Sequence, residues 1–190
     1  VFVNFVLAWF IYICLMFVYG EKYLPNENVK DGIWVQDSLA MNLGLQTGDK
    51  VLKVDGNAIK KFSQLPMEFI NGNNFTIERN GTVIEKEIPV DFISKLIERG
   101  KEGGSFISAR YPFIIAGVSK DSPNINSDLK AKDVVTAING VEIKYFDEAK
   151  KELEKYKNSE INITVKRDGR EVIVPVKISE TSKIGVSVGQ

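Results

Sequence analysis

The stretch LQTGDKVLKVDGNAIKKF, residues 45–62, returns later in the chain as LKAKDVVTAINGVEIKYF, residues 129–146. The two stretches align without a gap at an offset of 84 and share seven of 18 positions. A second match, TIERNG from Thr76 and TVKRDG from Thr164, follows at an offset of 88. Self-similarity over such a length indicates two copies of one structural unit. The chain is therefore predicted to fold as a repeat.

Each copy predicts the same order of elements. A short strand leads through a Ser-containing turn into a strand that alternates apolar and polar residues and ends at Asp55-Gly56 or Asn139-Gly140. A helix comes next, followed by a hairpin around Asn80-Gly81 or Asp168-Gly169 and by one more short strand. Asp-Gly and Asn-Gly tolerate positive φ and favour tight turns. The predicted order is strand, turn, strand, helix, hairpin, strand.

The helix of the second copy has the clearest pattern. Phe146, Ala149, Leu153 and Tyr156 lie on one stripe of FDEAKKELEKYK, as expected for an amphipathic helix. Asp147 is a candidate N-cap, because its carboxylate could accept the first free amides of the helix. In the first copy, FISKLIERG before residue 101 also predicts a short amphipathic helix that ends at Gly100.

Each copy should bury a core of its own. The alternating strands and the helix supply apolar side chains at matching places. The predicted core residues are Val35, Leu45, Val51, Val54, Ile59 and Ile77 in the first copy, and Val118, Leu129, Val135, Ile138, Ile143 and Val165 in the second.

The composition excludes several classes of function. All 25 basic and all 25 acidic residues follow Gly20, so the charged part of the chain is neutral and has no basic excess to hold nucleic acid. The chain has no histidine, and its one cysteine is Cys14. Ser-His-Asp and Cys-His constellations and His-ligated zinc sites are therefore impossible, and so is a disulfide within the chain.

The first 20 residues form an apolar segment in which only Asn4 interrupts the run from Val1 to Tyr19. Nineteen helical residues extend about 28 Å, close to the hydrocarbon thickness of a bilayer. We predict a transmembrane helix. A cleaved signal peptide is the alternative, but neither a basic start nor a small-residue cleavage site is present. A buried core helix is the other alternative, although such helices usually carry polar residues on one face.

DSLAMNLGLQTGDKVLKVDG, residues 37–56, resembles bacterial PDZ domains: a turn of small residues, Gly-Leu, Gly-Asp, a hydrophobic strand and Asp-Gly. An apolar helix before two such copies resembles the central region of RseP-type site-2 proteases, which are intramembrane zinc metalloproteases. The resemblance implies an α+β fold with a transmembrane helix at 1–20, a juxtamembrane linker at 21–31 and PDZ domains at 32–112 and 113–190. Each domain would be a circularly permuted small β-barrel or sandwich with a capping helix.

The chain departs from these families in two respects. Gly44 and Gly48 of the first copy are replaced by Asp128 and Lys132 in the second, and Lys adopts a left-handed conformation less readily than Gly, so the second loop is expected to differ in shape. The His-Glu-x-x-His signature of the proteases is absent. We therefore assign no catalytic or metal-binding residue and no cofactor to this chain. Zinc would belong to the parent protein, and this chain alone should be inactive.

The PDZ resemblance implies two peptide-binding grooves. A PDZ domain adds an extended peptide to an edge strand, and a loop before that strand holds the terminal carboxylate. The alternative is that these glycine-containing segments are only turns. The predicted loop and strand residues are Gly103, Gly104, Ser105, Phe106 and Ile107 in the first copy and Lys183, Ile184, Gly185 and Val186 in the second. The predicted helix wall consists of Met67 and Ile70 in the first copy and Ala149 and Leu153 in the second.

The functional hypothesis follows from the protease resemblance. It implies a substrate-filtering region on the periplasmic side of a bacterial inner membrane, in contact with lipid. The substrates would be membrane proteins such as anti-sigma factors or signal-peptide remnants. The first alternative is a membrane-anchored PDZ scaffold with no protease attached. A third reading, a chaperone-protease of the HtrA type, is disfavoured because an apolar segment directly precedes the first copy.

Overall fold

The structure is a computed structural model that describes residues 2–20, 22–100 and 104–189. The fold is α+β. The helices are α1 (Phe2–Tyr19), α2 (Ser38–Asn42), α3 (Leu65–Asn71), α4 (Phe92–Arg99) and α5 (Phe146–Leu153). The strands of the first half are β1 (Ile33–Val35), β2 (Lys50–Val54), β3 (Asn57–Ala58), β4 (Asn74–Arg79), β5 (Thr82–Glu87) and β6 (Ile107–Ala109). Those of the second half are β7 (Ile114–Val118), β8 (Val134–Ile138), β9 (Val141–Glu142), β10 (Glu160–Arg167), β11 (Arg170–Lys177) and β12 (Val186–Gly189).

Strand pairing joins the end of each half to its beginning. In the first half β6 pairs antiparallel with β1, and a separate sheet has the order β3-β2-β4-β5. In the second half one sheet runs β11-β10-β8-β7-β12, with β9 on β8. There β12 pairs with β7, so that Val186 lies opposite Val118. The predicted order of strand, turn, strand, helix, hairpin and strand is confirmed in both halves.

Each half has its own buried cluster, as predicted. The alternating strands turn one row of side chains inward, and α3 or α5 covers it. Nine of the twelve predicted core residues are buried, and the other three, Val35, Ile59 and Val118, are half-buried and pack against the clusters. We call residues 22–110 the first unit and residues 111–189 the second unit.

A buried ion pair occurs at the same place in both units. Arg79 at the end of β4 donates from Nε and Nη2 to the carboxylate oxygens of Asp49, each at 2.7 Å. In the second unit Arg167 makes the same two bonds to Asp133 at 2.7 and 2.8 Å. Both carboxylates are inaccessible to solvent, since Asp49 is 1% exposed and Asp133 is fully buried. The repeat seen in the sequence is therefore also a repeat of internal hydrogen bonding.

The loop before this carboxylate keeps its backbone conformation at Lys132, so the expected difference in shape is wrong at that position. At Asp128 the difference is confirmed, because Gly44 has a φ of 71° and Asp128 has no positive φ. Lys132 has a φ of 74° where Gly48 has 99°. Gly48 donates to Ile33 O at 2.8 Å, and Lys132 donates to Ile115 O at 2.7 Å. These backbone hydrogen bonds, together with the buried aspartate, stabilise Lys132 in a left-handed backbone conformation that lysine rarely adopts.

Helix α4 was predicted before residue 101 and is observed as Phe92–Arg99, followed by Gly100. Phe92 is the buried residue of this helix. Its ring lies 6.0 Å from the ring of Phe106 and 6.5 Å from that of Phe69 in α3, measured between centroids. The helix therefore covers one side of the first unit.

Helix α5 starts one residue after Tyr145 and not after Asp147, so the predicted N-cap is wrong. The carboxylate of Glu148 accepts the amides of Lys144 and Tyr145 at 2.8 and 3.2 Å, which satisfies free donors at the helix start. Asp147 is unavailable for capping because its carboxylate binds Arg110 of the first unit. The predicted stripe is confirmed: Ala149 and Leu153 are buried.

The apolar segment forms α1 from Phe2 to Tyr19. Its side chains are mostly exposed; Phe17, for example, is 91% exposed. Within the residues the structure describes, no helix has both the length and the apolar character needed to cross a membrane. The transmembrane helix predicted at 1–20 is therefore not seen in the described part of the chain.

Candidate functional site

A cleft of about 770 Å³ lies in the second unit between α5 and β12. One wall comes from the helix and the turn after it, and the other from β12 and the loop before it. The lining residues are Phe113, Phe146, Lys150, Leu153, Glu154, Lys157, Thr181, Ser182, Lys183, Ile184, Gly185, Val186 and Val188. A volume of this size is typical of a site for a small ligand or for a few residues of a peptide.

Strand β12 presents a free edge to this cleft. In the described part of the chain it is the last strand of its sheet and pairs with β7 alone. Val186 and Val188, two residues apart on β12, line the cleft. An edge strand carries unpaired amide and carbonyl groups, to which an extended segment can add as a further strand.

The loop from Ser182 to Gly185 closes one end of the cleft. Ser182 and Gly185 have positive φ values of 59° and 77°. The amides of Ser182 and Lys183 already donate to Ser179 O and Oγ, at 3.0 and 3.1 Å, so an anion at this loop would need the amides that follow them. A Cβ atom on Gly185 would lie 2.8 Å from the Cβ of Ser122, so this position requires glycine for space as well as for its φ.

Two buried polar side chains hold this loop in place. Ser122 Oγ and Asn124 Nδ2 both donate to Ile184 O, at 3.0 and 2.8 Å. Asn124 also donates to Lys177 O at 2.7 Å and accepts the Lys177 amide at 2.8 Å. Sequence reasoning did not identify Ser122 or Asn124 as site residues. The only signal was the Ser-containing turn after the first strand of each copy, and nothing in that pattern tells which loop the turn contacts.

The charged residues around the cleft are mostly cationic. Lys150, Lys157 and Lys183 line it, and Glu154 is the one acidic side chain among the lining residues. Lys183 lies in the loop, and Lys157 follows the turn after α5. Charges of this sign would attract a carboxylate, and the effect would decrease at high ionic strength.

The predicted residues of the second groove lie together with one exception. Lys183, Ile184, Gly185, Val186 and Leu153 all line the cleft. Ala149 does not, because its side chain is completely buried in the core beneath α5. Phe146, Lys150 and Val188 line the cleft but were not predicted. Phe146 and Lys150 are one helical turn apart on α5, a spacing that could have identified them.

The first unit places its predicted residues differently. Ile107 and Phe106 are buried, and the Phe106 ring lies 6.2 Å from that of Phe69. Gln36 N donates to Phe106 O at 3.1 Å, as Ser119 N donates to Gly185 O at 3.0 Å in the second unit. A bulky side chain thus packs into the first unit at the position where the second unit has glycine. The remaining predicted residues are exposed or half-buried: Gly104, Ser105 and Met67 are exposed, and Ile70 packs against the core.

Gly103 lies outside the described residues. In the described ranges no group of three or more acidic or cysteine side chains is placed so that it could hold a metal ion.

Residues 102–178 match the family model of the PDZ domain. Among solved structures, the chain is similar to the PDZ domain of the SdrC-like protein from Listeria monocytogenes at 22% sequence identity. That similarity covers 40% of this chain and 86% of the other, with a TM-score of 0.37. The chain thus contains a PDZ domain with a PDZ-like α+β fold. The matched stretch includes β6, which pairs in the first unit, and ends before β12, which pairs with β7. Neither match identifies a protease.

Proposed function

We propose that the second unit binds the C-terminal segment of another protein as an added strand on β12. The observation that carries the proposal is the cleft itself, in which a free edge strand faces Phe146 and Leu153 of the helix wall. The terminal carboxylate would lie at the Ser182–Gly185 loop, beside Lys183. Apolar side chains of the peptide would pack against Leu153 and Phe113, since alternate residues of an added strand point to the same side.

The test is a binding measurement with labelled peptides and the full chain, kept in solution by a mild non-ionic detergent. The probes are fluorescein-labelled six-residue peptides that end in Val, Ile, Leu or Phe. Each is made with a free C-terminal carboxylate and with a C-terminal amide. Fluorescence polarisation should show binding of at least one free acid and at least about tenfold weaker binding of its amide, because the amide lacks the charge. Equal affinity of both forms, or no binding by any probe, would contradict the proposal.

We further propose that the chain belongs to a membrane-associated site-2 zinc metalloprotease and filters its substrates. The proposal is supported by the sequence order, in which an apolar segment precedes two copies of one unit. The exposed apolar side chains of α1 also suit a lipid environment. Any zinc would be held by residues outside this chain. Both units would then lie on the extracytoplasmic side and exclude substrates, such as anti-sigma factors, whose outer domains are still attached.

This finer proposal has a test of its own. The full protease is compared with a version that lacks residues 32–190, using the same substrate before and after removal of its outer domain. Steric filtering predicts that only the shortened protease cuts the untrimmed substrate. If both versions leave the untrimmed substrate intact, the units act instead as docking modules. A reading frame without His-Glu-x-x-His upstream would favour a scaffold with no protease.

A further inference from the structure

A tryptophan of the first unit lies against the helix wall of the cleft. The ring of Trp34 in β1 meets the ring of Phe146 edge-on, with 6.4 Å between centroids. The ammonium group of Lys150 lies 5.3 Å from the centroid of the same Trp34 ring. Phe146 and Lys150 both line the cleft. The first unit therefore contacts the second at two side chains that a bound ligand would also contact.

This contact lies at the end of the cleft away from the loop. Phe146 packs edge-on against Phe113, with 5.1 Å between centroids. Phe113 directly precedes Ile114, and Ile114 pairs with Gly189 at the last position of β12. Because the Ser182–Gly185 loop precedes the first position of β12, the loop and Phe146 mark opposite ends of the cleft. A peptide whose C-terminus sits at the loop would leave the cleft beside Phe146 and Trp34.

The dimensions fix which residue of the peptide would reach Trp34. From Leu153 to Phe146 the helix extends about 10 Å. An extended peptide covers that distance in about three residues, since a strand rises about 3.4 Å per residue. Trp34 is not itself a lining residue of the cleft but adjoins it at Phe146 and Lys150. A peptide that leaves the cleft past Phe146 would cover the 6.4 Å to the Trp34 ring in about two residues, which would bring the residue about four or five places before the C-terminal residue level with Trp34.

Other contacts hold Trp34 at this place. The hydroxyl group of Tyr145, just before α5, donates to Asp31 Oδ1 at 2.6 Å. Asp31 stands three residues before Trp34, so β1 is tied to the start of α5. Trp34 is half-buried, which leaves part of its ring accessible. A ring that is fixed and partly accessible can offer a large apolar contact at little cost in conformational entropy.

We propose that Trp34 forms an upstream subsite of the second unit's cleft and selects peptides with an apolar side chain about four or five residues before the C-terminus. The two units then form one recognition surface. The second unit binds the last residues of the peptide, and the first unit contacts a residue nearer the start of the peptide. This proposal rests on the peptide binding proposed above. It extends that binding to a residue of the other unit.

The chain offers a direct reporter, because its only tryptophans are Trp9 and Trp34. In the full-length Trp9→Phe variant, Trp34 alone emits. The probes are a tetrapeptide and an octapeptide that share their last four residues, lack Trp and Tyr, and have a free carboxylate. The octapeptide carries Leu at the position four residues before the last, and a control octapeptide has Gly there. The Leu octapeptide should shift or quench the Trp34 emission, whereas the tetrapeptide should bind without changing it.

Affinities measured with the same probes separate the two proposals. Trp34→Ala should weaken binding of the Leu octapeptide about tenfold and leave tetrapeptide binding within about twofold. Val83→Ala, an exposed change on β5 of the first unit, serves as the control. If the octapeptide binds but neither the emission nor the Trp34→Ala affinity changes, the subsite proposal is overturned and peptide binding stands. If Trp34→Ala weakens both peptides equally, Trp34 acts only in packing and the subsite is again overturned. If no peptide binds, both proposals fail.

Discussion

The guanidinium group of Arg110 binds both carboxylate oxygens of Asp147, from Nε to Oδ1 at 3.0 Å and from Nη2 to Oδ2 at 2.9 Å. Arg110 directly follows β6 of the first unit, and Asp147 lies in the first turn of α5 in the second. The same guanidinium donates to Glu148 at 2.7 Å and lies 3.8 Å from the centroid of the Tyr145 ring. One arginine thus joins the end of one unit to the helix that forms the cleft wall of the other.

Replacing this arginine should loosen the joint between the units. Arg110→Lys keeps the positive charge but cannot make the paired bonds to Asp147. Without the guanidinium group, the mostly buried carboxylate of Asp147 lacks hydrogen-bond donors. We expect a loss of about 2 kcal/mol in the free energy of unfolding of the second unit. Urea denaturation of the full chain measures it. Lys144→Ala, which removes an exposed pair with Asp31 and an exposed cation–π contact with Tyr145, is the control and should change stability little. Equal effects of the two substitutions would contradict the assigned role of Arg110.

The two units should unfold independently of each other. Val54 is buried in the core of the first unit, and Val54→Asp places an unpaired carboxylate there at a cost of several kcal/mol. The first unit should unfold while the second remains folded. Amide hydrogen exchange measured by mass spectrometry on peptides from each unit can follow this. Val83→Asp, on the exposed face of the same unit, should leave both units protected. Loss of protection in both units of the Val54→Asp variant would show that the cores depend on each other.

Acid should weaken the second unit partly through Asp133. The hydrogen bonds from Arg167 hold the pKa of this buried carboxyl group below its usual value, although burial acts in the opposite direction. Because the pKa is lower in the folded than in the unfolded state, the stabilisation is present above the unfolded pKa of about 3.9 and is lost as the pH falls through the folded pKa.

Asp133→Asn should therefore lower stability at pH 7 and reduce the further loss between about pH 5 and pH 2. Urea midpoints measured across this range give the comparison. Asp168→Asn is the matched control. Asp168 is exposed in a turn and has a positive φ, and asparagine also adopts this backbone conformation readily. If Asp133→Asn keeps the full acid dependence of the parent chain, Asp133 does not contribute to it.

The loop glycine of the cleft should be intolerant of substitution. Gly185→Ala introduces a Cβ that collides with Ser122 and occupies a left-handed backbone position. Gly169→Ala is the matched control, because Gly169 has a similar φ of 81° and open space around its Cα. In the control, backbone strain alone should lower the free energy of unfolding by about 1 kcal/mol. Gly185→Ala should lower the free energy of unfolding further. It should also weaken peptide binding about tenfold or more, as measured by fluorescence polarisation. Similar losses in both variants, with binding intact, would mean that the loop is not part of the site.

The repeat, the order of elements, the four turn dipeptides and most of both cores could be predicted from the sequence. These features depend on local periodicity and on residues that restrict the backbone, such as Gly140 after Asn139. Even the buried aspartate and arginine of each unit lie within the repeated motifs, where Asp49 and Asp133 align. Each of these signals is carried by residues close together in the chain, so a linear pattern contains them.

What packs at the two predicted loops was decided only by the tertiary structure. Phe106 and Gly185 occupy equivalent positions, but Phe106 packs against Phe69 of α3 and Phe92 of α4, whereas Gly185 lies against Ser122 and lines the cleft. Trp34 likewise lies beside Phe146, 112 positions away in the sequence, and the neighbouring residue Asp147 binds Arg110 of the first unit. Such contacts join residues far apart in the chain and follow no periodicity. They arise when two independently patterned surfaces pack together, and only the packed chain determines which side chains meet.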